Sequence, residues 1–265
     1  MMFEVNLDKE LKRLKKKVVG SFVAPVRYKL HDIFVANSAD DIFLEFVNKK
    51  VVVIGPGEAP TKELEAAVRA ADICILVNKG YRSGHFFGFA KKAKEVILFH
   101  CLNEDEERGG GVLDELILAE INVEKIIYPL SEKKLHHHYL KASRKLNKDF
   151  EILSIKKGWY EKIVHRLDGY RPNTGFAALA LLIQSGCEDL YIHGFTFFRT
   201  PYQSHYRDNL TNASHAISAI ESAGNHNPDK DLLLFKELIK DRQKIRLANV
   251  TKSIVDAPFD PIFYQ

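Results

Sequence analysis

The sequence predicts an α/β protein, a mostly parallel sheet with helices on both faces. Short β-branched runs recur along the chain, helical stretches separate them, and several runs end on Gly or Asn. In such sheets ligands bind beyond the carboxyl ends of the strands, where the strand order reverses. The residues just after each strand are therefore the ones to weigh for function.

Each element follows from its pattern. Leu7 to Val19 reads as an amphipathic helix with Leu7, Leu11, Leu14 and Val18 on one stripe and lysines elsewhere. A solvated helix packed on the body is preferred for it over a lipid-contacting one. Lys50 to Ile54 is a strand, and Gly55-Pro56-Gly57 a turn. Thr61 to Ala71 is a helix with Thr61 as N-cap and acidic residues in its first turn. Ile73 to Val77, Glu95 to Phe99 and Glu124 to Tyr128 are further strands, with a mobile loop expected from Asn103 to Gly111. Ile152 to Arg166 has no clear period. Thr174 to Ser185 is an Ala/Leu-rich helix, Asp189 to His193 a strand, and Thr196 to Asn212 a polar, aromatic loop. Lys230 to Lys240 is a helix with Leu233, Leu234, Leu238 and Ile239 toward the core, and Lys244 to Leu247 a last strand. Residues 1–49 read as a helical and strand extension packed on the body, and 50–265 as a single domain.

Composition narrows the function classes. The 265 residues are 46% hydrophobic and 28% charged, which excludes a disordered or collagen-like chain. A net charge of +4 lacks the large or segregated excess of a dedicated nucleic-acid binder. Cys74, Cys101 and Cys187 are far apart and odd in number, the pattern of free thiols in a reducing compartment. The longest apolar run, Phe176 to Ile183, is too short to span a bilayer, and no secretory signal is visible. A cytoplasmic protein is expected, with peripheral contact at the inner face of the membrane as the further option.

Five places could carry chemistry. Gly55 and Gly57 allow a tight turn and close backbone approach to a phosphate or ribose, although strand-turn-helix junctions also use glycine structurally. Asn78 can bind a sugar hydroxyl or base edge, or can be a turn residue in left-handed geometry. In Arg171-Pro172-Asn173-Thr174-Gly175, the stretch Asn173, Thr174 and Gly175 opens a helix, which suits an anion site, simple N-capping, or both. The following loop holds Arg199, Tyr202, His205, Tyr206 and Asp208, and its Arg and Tyr donors beside a His suit a phosphate leaving group. No ligand spacing for a metal is present in it. His226 precedes a helix start, which disfavours its protonated form and suits a base near neutral pH. A lone His is also often structural. His136-His137-His138 reads as a surface run, and without a GxSxG elbow Ser204-His205 and Ser214-His215 do not make a hydrolase.

The order of these motifs resembles the sialyltransferases of glycosyltransferase families 29 and 42. The first motif corresponds to Val51 to Gly57 and Asn78, and the second to Arg171 to Phe195. The third, of His-Tyr-x-Glu type, corresponds to His205-Tyr206-Arg207-Asp208, and the last to His226 through Asp231. The resemblance runs over residues 50 to 250. Asn173 stands where those families often have Ser, and Gly55-Pro56-Gly57 lacks their Gly-Asn pair. The disulfide and membrane anchor of animal members have no counterpart, which makes the chain similar to soluble, bacterial-type members.

The resemblance implies a Rossmann-like, sialyltransferase-type glycosyltransferase fold. It implies an inverting, metal-independent enzyme that moves a 2-keto sugar acid, first of all sialic acid, from a CMP donor to a glycan or glycolipid acceptor. No resident cofactor is implied. His226 would take the acceptor proton, its geometry held by Asp231. His205 with Tyr202 or Tyr206 would stabilise the departing CMP phosphate. Asn173, Thr174 and Gly175 would hold the donor carboxylate or phosphate, and Gly55, Gly57 and Asn78 the nucleotide. CMP-Kdo is the alternative donor on the same fold. A non-catalytic nucleotide-binding protein and a pterin-type pyrophosphokinase are the alternatives of other classes. The second would need an acidic metal site that the sequence does not display.

Overall fold

The computed structural model describes residues 42–82, 84–107, 109–130, 132, 135–146, 150–203, 206, 212–242 and 244–262. The helix expected at Leu7 to Val19 lies outside them. Seven parallel strands form one sheet in the order β5-β4-β3-β2-β1-β6-β7. They are β1 (Lys50–Ile54), β2 (Ile73–Val77), β3 (Glu95–Phe99), β4 (Val123–Tyr128), β5 (Glu151–Ser154), β6 (Asp189–His193) and β7 (Ile245–Leu247). The chain winds outward from β1 to β5, then returns to lay β6 on the other side of β1.

Strands buried on both faces read as continuous apolar runs, because successive side chains point to opposite sides and both sides are covered. Val51 and Val53, Ile73 and Ile75, and Leu190 and Ile192 fill one core. That core is closed by α5 (Lys157–Arg166), α6 (Thr174–Gln184) and α8 (Pro228–Ile239). Val52, Ile54, Cys74, Leu76 and Tyr191 fill the other, beneath α1 (Lys62–Ala70), α2 (Gly84–Ala90), α3 (Glu115–Glu120) and α4 (His136–Lys145). α7 (Ala213–Ala223) and α9 (Asn249–Asp256) are further helices, and Asn78–Arg82 is a 3-10 helix. The fold is a three-layer, Rossmann-like α/β sandwich. Ile42 and Phe46, at the start of the described chain, are buried in the first core.

Helix starts follow their caps. Thr61 accepts from the Leu64 N–H at 3.0 Å, and Asp114 from those of Leu116 and Ile117. Four details differ from the pattern. Ile152 to Arg166 resolves into β5 and α5, joined by a two-residue link. α8 begins at Pro228, so its buried stripe is Asp231, Leu232 and Phe235, joined by Leu234, while Leu233 is exposed. His136 is not on the surface: it is buried and stacked on Tyr139, with centroids 5.9 Å apart. The Asn103 to Gly111 stretch has no regular structure but is tied down. Glu106 accepts from Arg82 at 2.5 Å, and Glu104 pairs with Lys141 and Lys145.

At the switch point β1 and β6 run out into two turns in direct contact. The Gly55 N–H donates to the His193 carbonyl at 2.7 Å, and the Gly57 N–H to the Gly194 carbonyl at 2.9 Å. Gly194 has φ +73°, and a Cβ on it would lie 2.4 Å from the Gly55 carbonyl oxygen. Gly194→Ala adds left-handed backbone strain to a backbone clash, together about 2 kcal/mol or more. It is expected to lower the urea midpoint at unchanged m-value, and a wild-type midpoint would contradict this contact.

Candidate active site

The turns after β1 and β6 bring most of the candidate residues to one end of the sheet. A Cβ on Gly55 would meet the Gly194 carbonyl at 2.6 Å, and one on Gly57 would meet the Thr196 side chain at 2.6 Å. Both glycines thus have a packing reason in addition to any ligand they meet. The loop after β6 folds back over this turn: the Gln203 N–H donates to the Pro56 carbonyl at 2.8 Å and Thr200 Oγ1 to that of Gly57 at 3.3 Å. Tyr202 is half-buried above it, with its ring 5.0 Å from that of Tyr206, which is buried. The Lys79 ammonium sits 5.9 Å from the Tyr206 centroid, which brings the end of β2 to the same place. His205 and Asp208 lie outside the described residues.

Asn78 takes the left-handed turn geometry. Its backbone is left-handed, at φ 49°, and its Oδ1 accepts from the Cys101 N–H at 3.1 Å, tying the end of β2 to that of β3. Arg199 departs from the expectation of a phosphate donor. Its guanidinium pairs with Asp229 at 2.9 Å and donates to the Asp260 carbonyl at 2.9 Å. Those contacts pin the C-terminal segment to the start of α8, because an arginine beside a buried carboxylate is held by a charge-assisted bond.

The second half of the site is where α6 and α8 begin side by side. Asn173 caps α6, its Oδ1 accepting from the Phe176 N–H at 2.9 Å. Asn227 caps α8 by accepting from the Asp229 and Lys230 N–H groups, each at 3.1 Å. The two caps are linked, since Asn173 Nδ2 donates to Asp231 Oδ2 at 2.6 Å. Asp231 is 0% exposed, and its Oδ1 has no hydrogen-bond partner among the described residues. Burial raises its pKa well above the carboxylate range, against the pull of the Asn173 bonds. Thr174 is buried, and Gly175 lies under the Phe195 ring, where a Cβ would approach it to 3.0 Å. That ring joins the helix starts to the switch-point turn.

His226 lies beside these caps, half-buried. Its Nδ1 is 2.8 Å from the Arg171 carbonyl, and the Arg171 N–H donates to the Asn225 carbonyl at 2.9 Å. A carbonyl only accepts, so Nδ1 carries the proton in that bond, and in the neutral ring the lone pair is on Nε2. The expectation that Asp231 holds His226 is replaced by this geometry: the described contact on the ring comes from Arg171, and Asp231 holds Asn173. Three further groups escaped sequence reasoning. His193 ends β6 wholly buried, its Nδ1 3.9 Å from the Glu58 carboxylate, and burial lowers its pKa. Glu132 pairs with Arg171. Thr251 accepts from the Phe195 N–H at 3.2 Å and holds the turn from α9. A histidine ending a strand was the one signal that could have marked His193. Among the described residues no cluster of His, Cys, Asp or Glu could hold a metal ion.

Fold and site define a doubly wound α/β protein with converging strand ends and helix starts at its switch point. Residues 120–243 match the model of glycosyltransferase family 29 (sialyltransferase), and no curated protein matches the chain. The matched segment runs from α3 to the end of α8 and contains Asn173, Thr174, Gly175, Tyr202, Tyr206, His205 and His226. Gly55, Gly57 and Asn78 precede it. The match covers a little under half of the chain, and that segment is similar to the sialyltransferases. No described helix is long and apolar enough to cross a membrane.

The Asp231 carboxyl gives a stability prediction. A carboxyl whose folded pKa is raised leaves stability intact below its unfolded value and costs stability as pH climbs from the carboxylate range toward the folded value. Asp231→Asn keeps an acceptor for Asn173 and cannot ionise. Its stability relative to wild type is expected to rise between pH about 5 and about 8 in urea titrations. A difference that does not change with pH would contradict the assignment.

Proposed function

We propose that this chain is an inverting transferase that takes CMP-N-acetylneuraminate as donor and a glycan or glycolipid hydroxyl as acceptor. The observation that carries the reading is the His226 ring, its Nδ1 committed to the Arg171 carbonyl beside two helix N-termini. In the reaction, His226 Nε2 takes the acceptor hydroxyl proton as the oxygen attacks the anomeric carbon. The bond from that carbon to the CMP phosphate oxygen breaks on the opposite face, so configuration inverts and CMP leaves with the electron pair.

The other candidates fall into two groups by place. Asn173, Thr174 and Gly175 at the start of α6 present backbone N–H groups and the positive helix end, which suit the donor carboxylate or a phosphate oxygen. Gly55, Gly57 and Asn78, with Tyr202 and Tyr206 above them, take the nucleotide side and the leaving phosphate. His205 is assigned to the same phosphate on the strength of the third motif. The reading needs no metal, because the charge that develops falls on a phosphate flanked by these donors.

General-base catalysis supplies about 10²- to 10⁴-fold, so His226→Ala is expected to lower transfer by that factor while CMP binding by calorimetry stays within twofold. Transfer from CMP-sialic acid is expected to survive EDTA. Equal activity of wild type and His226→Ala would overturn the role of the histidine. Use of CMP-Kdo alone would move the donor to that sugar, and loss of activity with EDTA would contradict the metal-free reading.

A further inference from the structure

The Arg171 segment holds His226 through its backbone, and its own side chain is anchored elsewhere. The Arg171 Nε is 2.6 Å from Glu132 Oε1, with both side chains about four-fifths buried. The Tyr160 hydroxyl donates to the same oxygen at 3.1 Å. Glu132 sits in the link between β4 and α4, where its carbonyl accepts from the Leu135 N–H at 2.9 Å. Tyr160 is on α5 and is buried. The Tyr160 hydroxyl on α5 thus holds the Glu132 carboxylate, the carboxylate pairs with Arg171, and the N–H and carbonyl of Arg171 meet Asn225 and His226. None of these contacts is needed to form a helix or strand, since Arg171 lies in the connection between α5 and α6.

We propose that Glu132, acting through Arg171, is the positioning residue that holds the His226 imidazole as its Nδ1–H tautomer. A neutral histidine side chain in water favours the other tautomer, with the proton on Nε2, and that form has no lone pair on Nε2 to receive a proton. The Arg171 carbonyl reverses the preference only while it stays on the Nδ1 side of the ring. A guanidinium released from its carboxylate no longer fixes the connection, because the ion pair and its hydrogen bond are charge-assisted and partly shielded from water. The consequence for catalysis rests on the reading of His226 as the base; the consequence for the ring does not.

The test uses the full chain labelled with 15N-histidine, in which long-range proton–nitrogen spectra distinguish the two tautomers and His226→Ala identifies the signal. Wild type is expected to show His226 as the Nδ1–H form. Glu132→Gln is expected to shift it toward the Nε2–H form and to lower kcat about 10- to 100-fold, as loss of groups that orient a catalytic ligand does, with donor KM within twofold. Tyr160→Phe removes one neutral hydrogen bond and no charge, and is expected to show both effects to a smaller degree; it decides the matter if Glu132→Gln does not fold. An unchanged tautomer in the folded variants overturns the proposal, whatever happens to kcat. A shifted tautomer with wild-type kcat upholds it and overturns instead the role of His226 as the base.

Discussion

Asn173 and Asp231 lie 58 residues apart in sequence and meet at 2.6 Å in the interior, where each needs the other. Asn173 spends its Oδ1 on the first turn of α6, so only its amide N–H groups remain to hold a neighbour. Asp231 is wholly buried in the first turn of α8, and an acid there is tolerated only with a donor beside it. The contact locks the starts of α6 and α8 together. It brings the segment before Asn173 near the segment before Asn227, where the Arg171 N–H meets the Asn225 carbonyl and the His226 ring meets the Arg171 carbonyl.

The same economy holds at the switch point. Gly55 and Gly194 touch through backbone, and neither position accepts a Cβ without a clash. The absence of side chains there brings the ends of β1 and β6 close enough for the later loop to fold back onto Pro56. Glycines that look like a phosphate turn in sequence are thus also the contact that closes the sheet's end. The buried His193 and Glu58 lie beside this turn, and Thr251 accepts from the Phe195 N–H within it.

Much of this was legible in the residues. β1, β2, β3 and β6 are apolar on both faces, so each run announces its own limits, and Thr61 and Asn173 mark their helices by their chemistry. β5 was not legible, because it has four residues and only one is fully buried. The phase of α8 is off by part of a turn, since the helix begins at Pro228 and the expectation began at Lys230. The order of motifs singled out Asn173 and His226 but not what they bond to. Spacing cannot show that Asp231 belongs to Asn173, that Arg199 belongs to Asp229, or that Glu132 reaches Arg171, because each pairing is made by the fold across 30 to 58 residues of sequence.

The proposed function makes the ends of β1 and β6 and the starts of α6 and α8 one site for a CMP-sugar. Hydrogen–deuterium exchange of the full chain with and without CMP tests it most directly. Slower exchange is expected in peptides covering 172–176, 194–203 and 225–231, with no change at 186–190 and 241–245 at the opposite end of the sheet. Protection confined to that opposite end, or none at saturating CMP, would contradict the account.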